Sequence, residues 1–177
     1  MASPGYVYIG NDGKVIEPSG KNVFSPEKGY QYEAGSHIAF SDKFNANISG
    51  FYILRKNMVQ SLGTKDGQTI SGQVGKADSK GLEVDINTRP WQQFNINAGY
   101  TFIVAKLKEY AKNDYAENTQ AGNYLNLVPK HMAYGWAFYD FDRSLKGLKL
   151  GVGFNYSSKA YVNTANTLEF EPYAIAN

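Results

Sequence analysis

Hydrophobic and polar residues alternate with a period of two along most of this chain. The pattern is clearest at 94–102, where Phe94, Ile96, Ala98, Tyr100 and Phe102 fall on one face and Asn95, Asn97, Gly99 and Thr101 on the other. Alternation of this kind predicts a β-strand. Residues 82–87 alternate in the same way, and Arg89, Pro90 and Trp91 join the two segments as a hairpin. The polar face is small, uncharged and amide-rich. Such a face suits the wet side of a soluble sheet, and it suits a water-filled lumen equally well. Which face looks inward is therefore the question on which function turns.

The same period predicts further strands at 30–40, 45–58, 70–87, 94–106, 131–141 and 148–158, with a last one starting near Glu171, Pro172 and Tyr173. A short strand at 5–10 precedes them in a polar, turn-rich lead of 1–29, and 30–177 reads as one domain. Phe51 and Ile53 blur the second alternation. Residues 75–81 are too charged for hydrocarbon, so that half of the third strand would rise above a bilayer. Short connections fall near 41–44, 89–93 and 142–147, long ones near 59–69, 108–129 and 159–169. A meander with its tight turns at one end and its long loops at the other is the pattern of an outer-membrane barrel. Greek-key sandwiches mix the lengths. The expected fold is all-β, an antiparallel up-and-down transmembrane β-barrel, here a partial barrel of about seven strands.

Composition narrows the alternatives. With 177 residues the chain can form one domain with a sizeable core. Its 18 glycines and 14 tyrosines favour a β protein with many turns, and tyrosine fits an aromatic girdle. The absence of cysteine removes disulfide frameworks, Cys-ligated zinc and thiol nucleophiles. A net charge of +2, with scattered lysines, gives no nucleic-acid footprint. No apolar run approaches the roughly 20 residues of a membrane helix, and no signal peptide is expected at residues 1–5. Barrel strands escape that test, because about 9–11 alternating residues suffice for each.

Several blocks, taken in order, resemble the C-terminal part of the barrel of TonB-dependent siderophore receptors. Residues 25–33, SPEKGYQYE, look like that family's P-E-x-G-x-Q-Y-E lead into a strand, and 75–85, GKADSKGLEVD, look like its G-x-x-x-S-x-G-x-E-x-E/D strand. Residues 97–102, 127–131, 147–153 and 171–173 are similar to later blocks of the family. The resemblance implies a parent protein with a globular plug, a TonB-contacting segment and a barrel of about 22 strands. The chain is accordingly expected to be a barrel fragment lacking the plug and the final strands. It further implies an outer-membrane receptor that imports a ferric siderophore with energy supplied through TonB, with the siderophore, the TonB complex and outer-membrane lipid as partners. The alternatives from the residues alone are a passive porin or a soluble β-sheet binding module.

The candidate chemistry is sparse. His37 and His131 have no ligand spacing around them, so no metal site is expected. No cofactor is expected either, the iron belonging to the transported chelate. Glu83 and Asp85 share one strand face and Asp140 and Asp142 bracket a turn, with no His, Ser or Lys constellation beside them for acid–base work. The protein is read as a non-enzyme. Gly75 and Lys76 fail as a phosphate loop, since Ile70 stands where the first glycine belongs and Ala77 follows the lysine. Two glycosylation patterns, at Asn47 and Asn155, lie mid-strand and are discarded. Trp91 and Trp136 are expected as interface anchors. The best ligand candidates are on the long 108–127 segment: Tyr110, Tyr115, Asn118, Asn123 and Tyr124, rings and amides able to stack on and hydrogen-bond a chelate.

Overall fold

The computed structural model describes residues 6–9, 15–16, 25–65, 68–110 and 120–177. In chain order the strands are β1 (Tyr6–Ile9), β2 (Val15–Ile16), β3 (Lys28–Ser41), β4 (Phe44–Lys65), β5 (Gln68–Trp91), β6 (Phe94–Glu109), β7 (His131–Asp140), β8 (Lys149–Ser157), β9 (Ala160–Tyr161), β10 (Glu169–Phe170) and β11 (Tyr173–Ala176). Seven of them form an antiparallel run, β3-β4-β5-β6-β7-β8-β11, each paired with its neighbour. β1 adds in parallel to β5 at residues 69–72, above the point where β6 stops pairing, and β2 pairs with β1. β9 and β10 make a small separate hairpin.

Each strand touches only its neighbours along the sheet, and no second layer packs on either face among the described residues. The described residues therefore form no two-sheet core of the kind a soluble sandwich has. Long apolar side chains are left uncovered instead: Leu82, Leu150 and Val152 are each more than half exposed, as are Phe40 and Trp91.

Register shows how consistently the faces are sorted. Ile86 pairs with Ala98, Tyr100 with Ala133, Ala137 with Val152 and Ala133 with Tyr156, so the apolar residues of β5, β6, β7 and β8 lie on one continuous face. Ile96, Tyr100, Leu150, Val152 and Phe154 belong to it. The opposite face carries His37, Asn47, Glu83, Asp85, Asn95, Asn97, Thr101 and Asn155, matched across the same ladders. The side-chain period of two fixes both faces once a single pair is in register.

Two expectations are corrected. The supposed connection at 59–69 is strand at 59–65 and 68–69: β4 runs to Lys65 and β5 starts at Gln68, so the two form a 22- and 24-residue ribbon that overtops the 10-residue β7. Residues 59–69 are mostly polar and glycine-containing, which gives a strand there the composition of a loop. The ribbon is locally held by Gln73, which is buried and satisfied; its Nε2 donates to Ser25 O at 2.7 Å and to Asn57 O at 2.8 Å. Trp136 is the second correction. It pairs with Asn97 and Gly153, and so lies on the amide-rich face rather than among the apolar interface residues. Trp91, 65% exposed at the β5–β6 turn and tilted against Phe94 at 5.6 Å, keeps the position expected of an anchor.

Candidate functional site

At the turn end of the sheet the chain is cross-linked tightly. Arg89 N donates to Lys43 O at 2.7 Å and Asp140 N to Gln93 O at 2.8 Å. Along the polar face, paired side chains satisfy one another: Tyr134 donates its hydroxyl proton to Asp85 Oδ1 at 2.9 Å, and His37 Nδ1 lies 2.6 Å from Asn47 Oδ1. Asp140 accepts from Asn95 at 3.1 Å and pairs with Lys149 at 3.2 Å. Carboxylates and amides here act as cross-strand ties, and among the described residues no three His, Asp or Glu side chains gather as they would around a metal ion. Trp136 stacks nearly parallel on Phe138, ring centres 5.8 Å apart, so this face also carries an aromatic strip.

The opposite end is built from segments far apart in sequence. Residues 120–130 fold back alongside β6: Leu125 N donates to Ala105 O at 3.0 Å and Leu107 N to Asn123 O at 2.8 Å. That return places Leu125 on a small cluster with Met58, Ala77, Ala105 and the fully buried Leu107, and it is the one compact apolar core the described residues contain. Tyr124, the residue before it, is bridged to Lys106 and so projects to the other side, with Lys106.

Tyr124 is the centre of this end. Asn166 clamps its backbone, accepting from Tyr124 N at 2.7 Å and donating to Tyr124 O at 3.0 Å. Tyr161 stacks on its ring at 5.8 Å, while Lys130 Nζ and Lys106 Nζ stand 4.0 and 4.6 Å from the ring centre. The hydrogen bond from Lys130 pulls the phenol below its usual pKa, helped by the charges of Lys130 and Lys106 and opposed by partial burial. Beside it, Lys159 Nζ contacts both oxygens of Glu169, at 3.1 and 2.9 Å; that hydrogen bond lowers the carboxyl and raises the amine. A recess of about 210 Å³ opens between these groups, lined by Tyr124, Lys130, His131, Lys159, Tyr161 and Glu169 among others.

The five residues singled out from sequence are thus dispersed. Tyr110 packs against the Leu107 cluster, Asn123 donates to Thr164 O at 2.9 Å, and Tyr124 occupies the site just described. Tyr115 and Asn118 lie outside the described residues. Lys106, Lys130, Tyr161, Asn166 and Glu169 join Tyr124 without any signal in the sequence: the last three lie about forty positions away, and Lys106 and Lys130, though nearer, meet it through an irregular return that leaves no periodic trace.

An open antiparallel run with one apolar and one amide-rich face, tight turns at one end and folded connections at the other, is a section of a β-barrel wall. The comparisons identify which barrel. Residues 2–177 match the family described as TonB dependent receptor-like, beta-barrel. The chain is 31% identical over 170 residues to the ferrichrome outer membrane transporter/phage receptor of Escherichia coli strain K12, covering 96% of this chain and 21% of that protein. It is 27% identical over 157 residues to the ferrioxamine receptor of Yersinia enterocolitica, covering 89% and 21%. Among solved structures, the siderophore receptor PiuA from Acinetobacter baumannii superposes with a TM-score of 0.67 at 27% identity, covering 85% of this chain and 21% of PiuA. The ferric yersiniabactin uptake receptor FyuA from Yersinia pestis, 23% identical with a TM-score of 0.67 and the same coverages, shares the fold. The chain belongs to the TonB-dependent receptor β-barrel family and is a segment of an outer-membrane protein. It spans about a fifth of the length of these relatives.

Proposed function

We propose that the protein containing this chain is a receptor that captures a ferric siderophore at the cell surface and imports it with energy delivered through TonB, a transporter rather than an enzyme. The observation that carries this reading is the end-to-end family match together with relatives named as receptors for ferrichrome and ferrioxamine. The two faces divide the labour physically. The apolar face meets outer-membrane lipid, and the amide-rich face, whose Asp85 and Asp140 are tied up by Tyr134, Asn95 and Lys149, lines the interior. β5, with 24 residues, extends on the order of 80 Å at about 3.3 Å per residue, so at a tilt of about 40° it rises roughly 60 Å, more than twice the height of a lipid-facing band. Much of the β4–β5 ribbon therefore stands clear of the bilayer, beside the folded 120–130 return. Surface capture is assigned to that end, with the iron held by the chelate and no cofactor resident in the protein.

The test is uptake of radioactive iron by cells expressing the complete protein, supplied as hydroxamate, catecholate or carboxylate chelates. One chelate class should drive uptake, and deleting TonB should abolish it. Uptake that persists without TonB would point to a passive pore and refute the reading.

A further inference from the structure

Residues 25–27 cross the β4–β5 ribbon on their way into β3. β1 occupies the edge of β5 that β6 leaves free, while β3 joins β4 on its far edge from Lys28 onward. Between those edges Ser25 lies on Gln73 of β5, Pro26 on Asn57 of β4 and Glu27 on Arg55 of β4. The segment is a strap across one face of the ribbon. Arg55 alternates in step with Asn47 along β4, and Gln73 with Asp85 along β5, so that face continues the amide-rich one. The strap therefore lies on the inward side, at the mouth of the barrel.

Its hold is centred on Gln73, which is only 5% exposed. Oε1 accepts from Ser25 N at 3.3 Å, while Nε2 donates to Ser25 O at 2.7 Å and to Asn57 O at 2.8 Å. The carboxamide thus engages both backbone groups of Ser25 and ties them to β4. The contact of Arg55 with Glu27, at 2.6 Å, is exposed on both sides and contributes less.

Asn57 supplies the other half. Its φ of 58° is left-handed, a conformation that is costly for residues other than glycine and least so for Asn and Asp. That torsion takes it out of the ladder, where pairing runs to Lys56 with Lys76 and resumes at Met58 with Val74. Its carbonyl and side chain turn to the strap instead, the first accepting from Gln73 and the second donating to Pro26 O at 3.1 Å. Register is the same on both sides of the interruption. The torsion of one residue is all that separates this bent ribbon from an unbroken ladder.

We propose that Gln73 and the strap form a latch that holds the ribbon bent at Asn57, and that release of the latch lets Asn57 return to extended backbone and the ribbon straighten into a second position. The two positions share every other cross-strand pair, so the change needs neither a slip of register nor unfolding. The strap bonds offset the torsional cost at Asn57. The latch stands on this chain's own register whatever ligand the parent protein carries, and only its place at the mouth rests on the amide-rich face lining the interior.

The test is a distance measurement by double electron–electron resonance on the complete receptor in micelles. Spin labels are attached at Val59→Cys, exposed on the ribbon beyond the bend, and at Lys43→Cys in the turn at the opposite end. The parent pair should give one narrow distance. Gln73→Met keeps the volume and removes three hydrogen bonds, a change of about a hundredfold in the latch equilibrium, and should move most of the population to a longer distance. Asn57→Val, whose branched side chain disfavours positive φ, should reach the same longer distance with Gln73 in place. Arg55→Gln should keep the parent distance. An unchanged distance in Gln73→Met overturns the latch. A shifted Gln73→Met beside an unshifted Asn57→Val overturns the bend at Asn57, and a shift in Arg55→Gln as large as that in Gln73→Met overturns the assignment of the catch to Gln73. Migration of unheated and heated samples on gels checks that each variant is folded.

Discussion

The aromatic strip on the polar face exists because small residues lie opposite it, and Gly153→Ala tests that dependence. A Cβ built on Gly153 would stand 2.5 Å from Trp136 Cε3 and 2.8 Å from Cε2, where ordinary contact begins near 3.4 Å. The indole must therefore retreat by about 1 Å in a closely packed setting. It cannot slide along the strand, because Phe138 stacks on it at 5.8 Å and itself lies 2.7 Å from where a Cβ on Gly151 would be. Forcing the overlap costs about 1–3 kcal/mol. Swinging the half-buried indole into the lumen instead gives up on the order of 100 Å² of apolar contact, about 2.5 kcal/mol. The two routes cost alike, so a loss of about 2 kcal/mol is expected whichever is taken. Urea unfolding of the complete protein in micelles, followed by tryptophan fluorescence, measures it. In a Trp136→Ala background the same glycine change should cost less than about 0.5 kcal/mol. An unchanged midpoint for Gly153→Ala, or strictly additive costs in the double variant, refutes the argument.

Two further outcomes follow from the upper end. Leu107→Ala empties the middle of the small cluster and should cost about 2–5 kcal/mol locally, seen as faster hydrogen exchange at the Leu125 amide, which donates to Ala105 O; unchanged protection there would mean that the 120–130 return is held by something else. Glu169 has its carboxyl pKa lowered by the hydrogen bond from Lys159, so its stabilisation of the β9–β10 hairpin is fully present above the unfolded value near 4.5 and is lost as pH falls through the depressed folded value. Exchange at Val162 N, bonded to Leu168 O at 2.9 Å, should accelerate over that acid range in wild type and lose this pH dependence in Glu169→Gln.

Much of the architecture was legible from residue order. The period of two placed β3, β6, β7 and β8 within a few residues of their observed limits, and it separated Ile96 and Val152 from Asn97 and Gly153, because a pleated strand sends neighbours to opposite sides whatever it pairs with. The block order carried the family. The errors fell in two places. Residues 59–69 are mostly polar in sequence, so a strand there has the composition of a loop. Trp136 was assigned by residue type, although its own alternation with Ala137 and its pairing with Gly153 put it on the amide-rich face.

The upper site illustrates the complementary limit. Tyr124 was picked out from sequence as a ring on a long connection, but its direction was settled by the bridge to Lys106, which turns it away from Leu107 and toward Lys106 and Lys130. Alternation is a local property of covalent geometry, and the sequence by itself determines it. The company Tyr124 keeps, from Lys106 behind it to Tyr161 and Asn166 ahead, depends on how an irregular return docks beside a strand. That docking comes from the burial of Leu125 on Leu107 and from backbone bonds with no repeating pattern, so only the tertiary structure decides it.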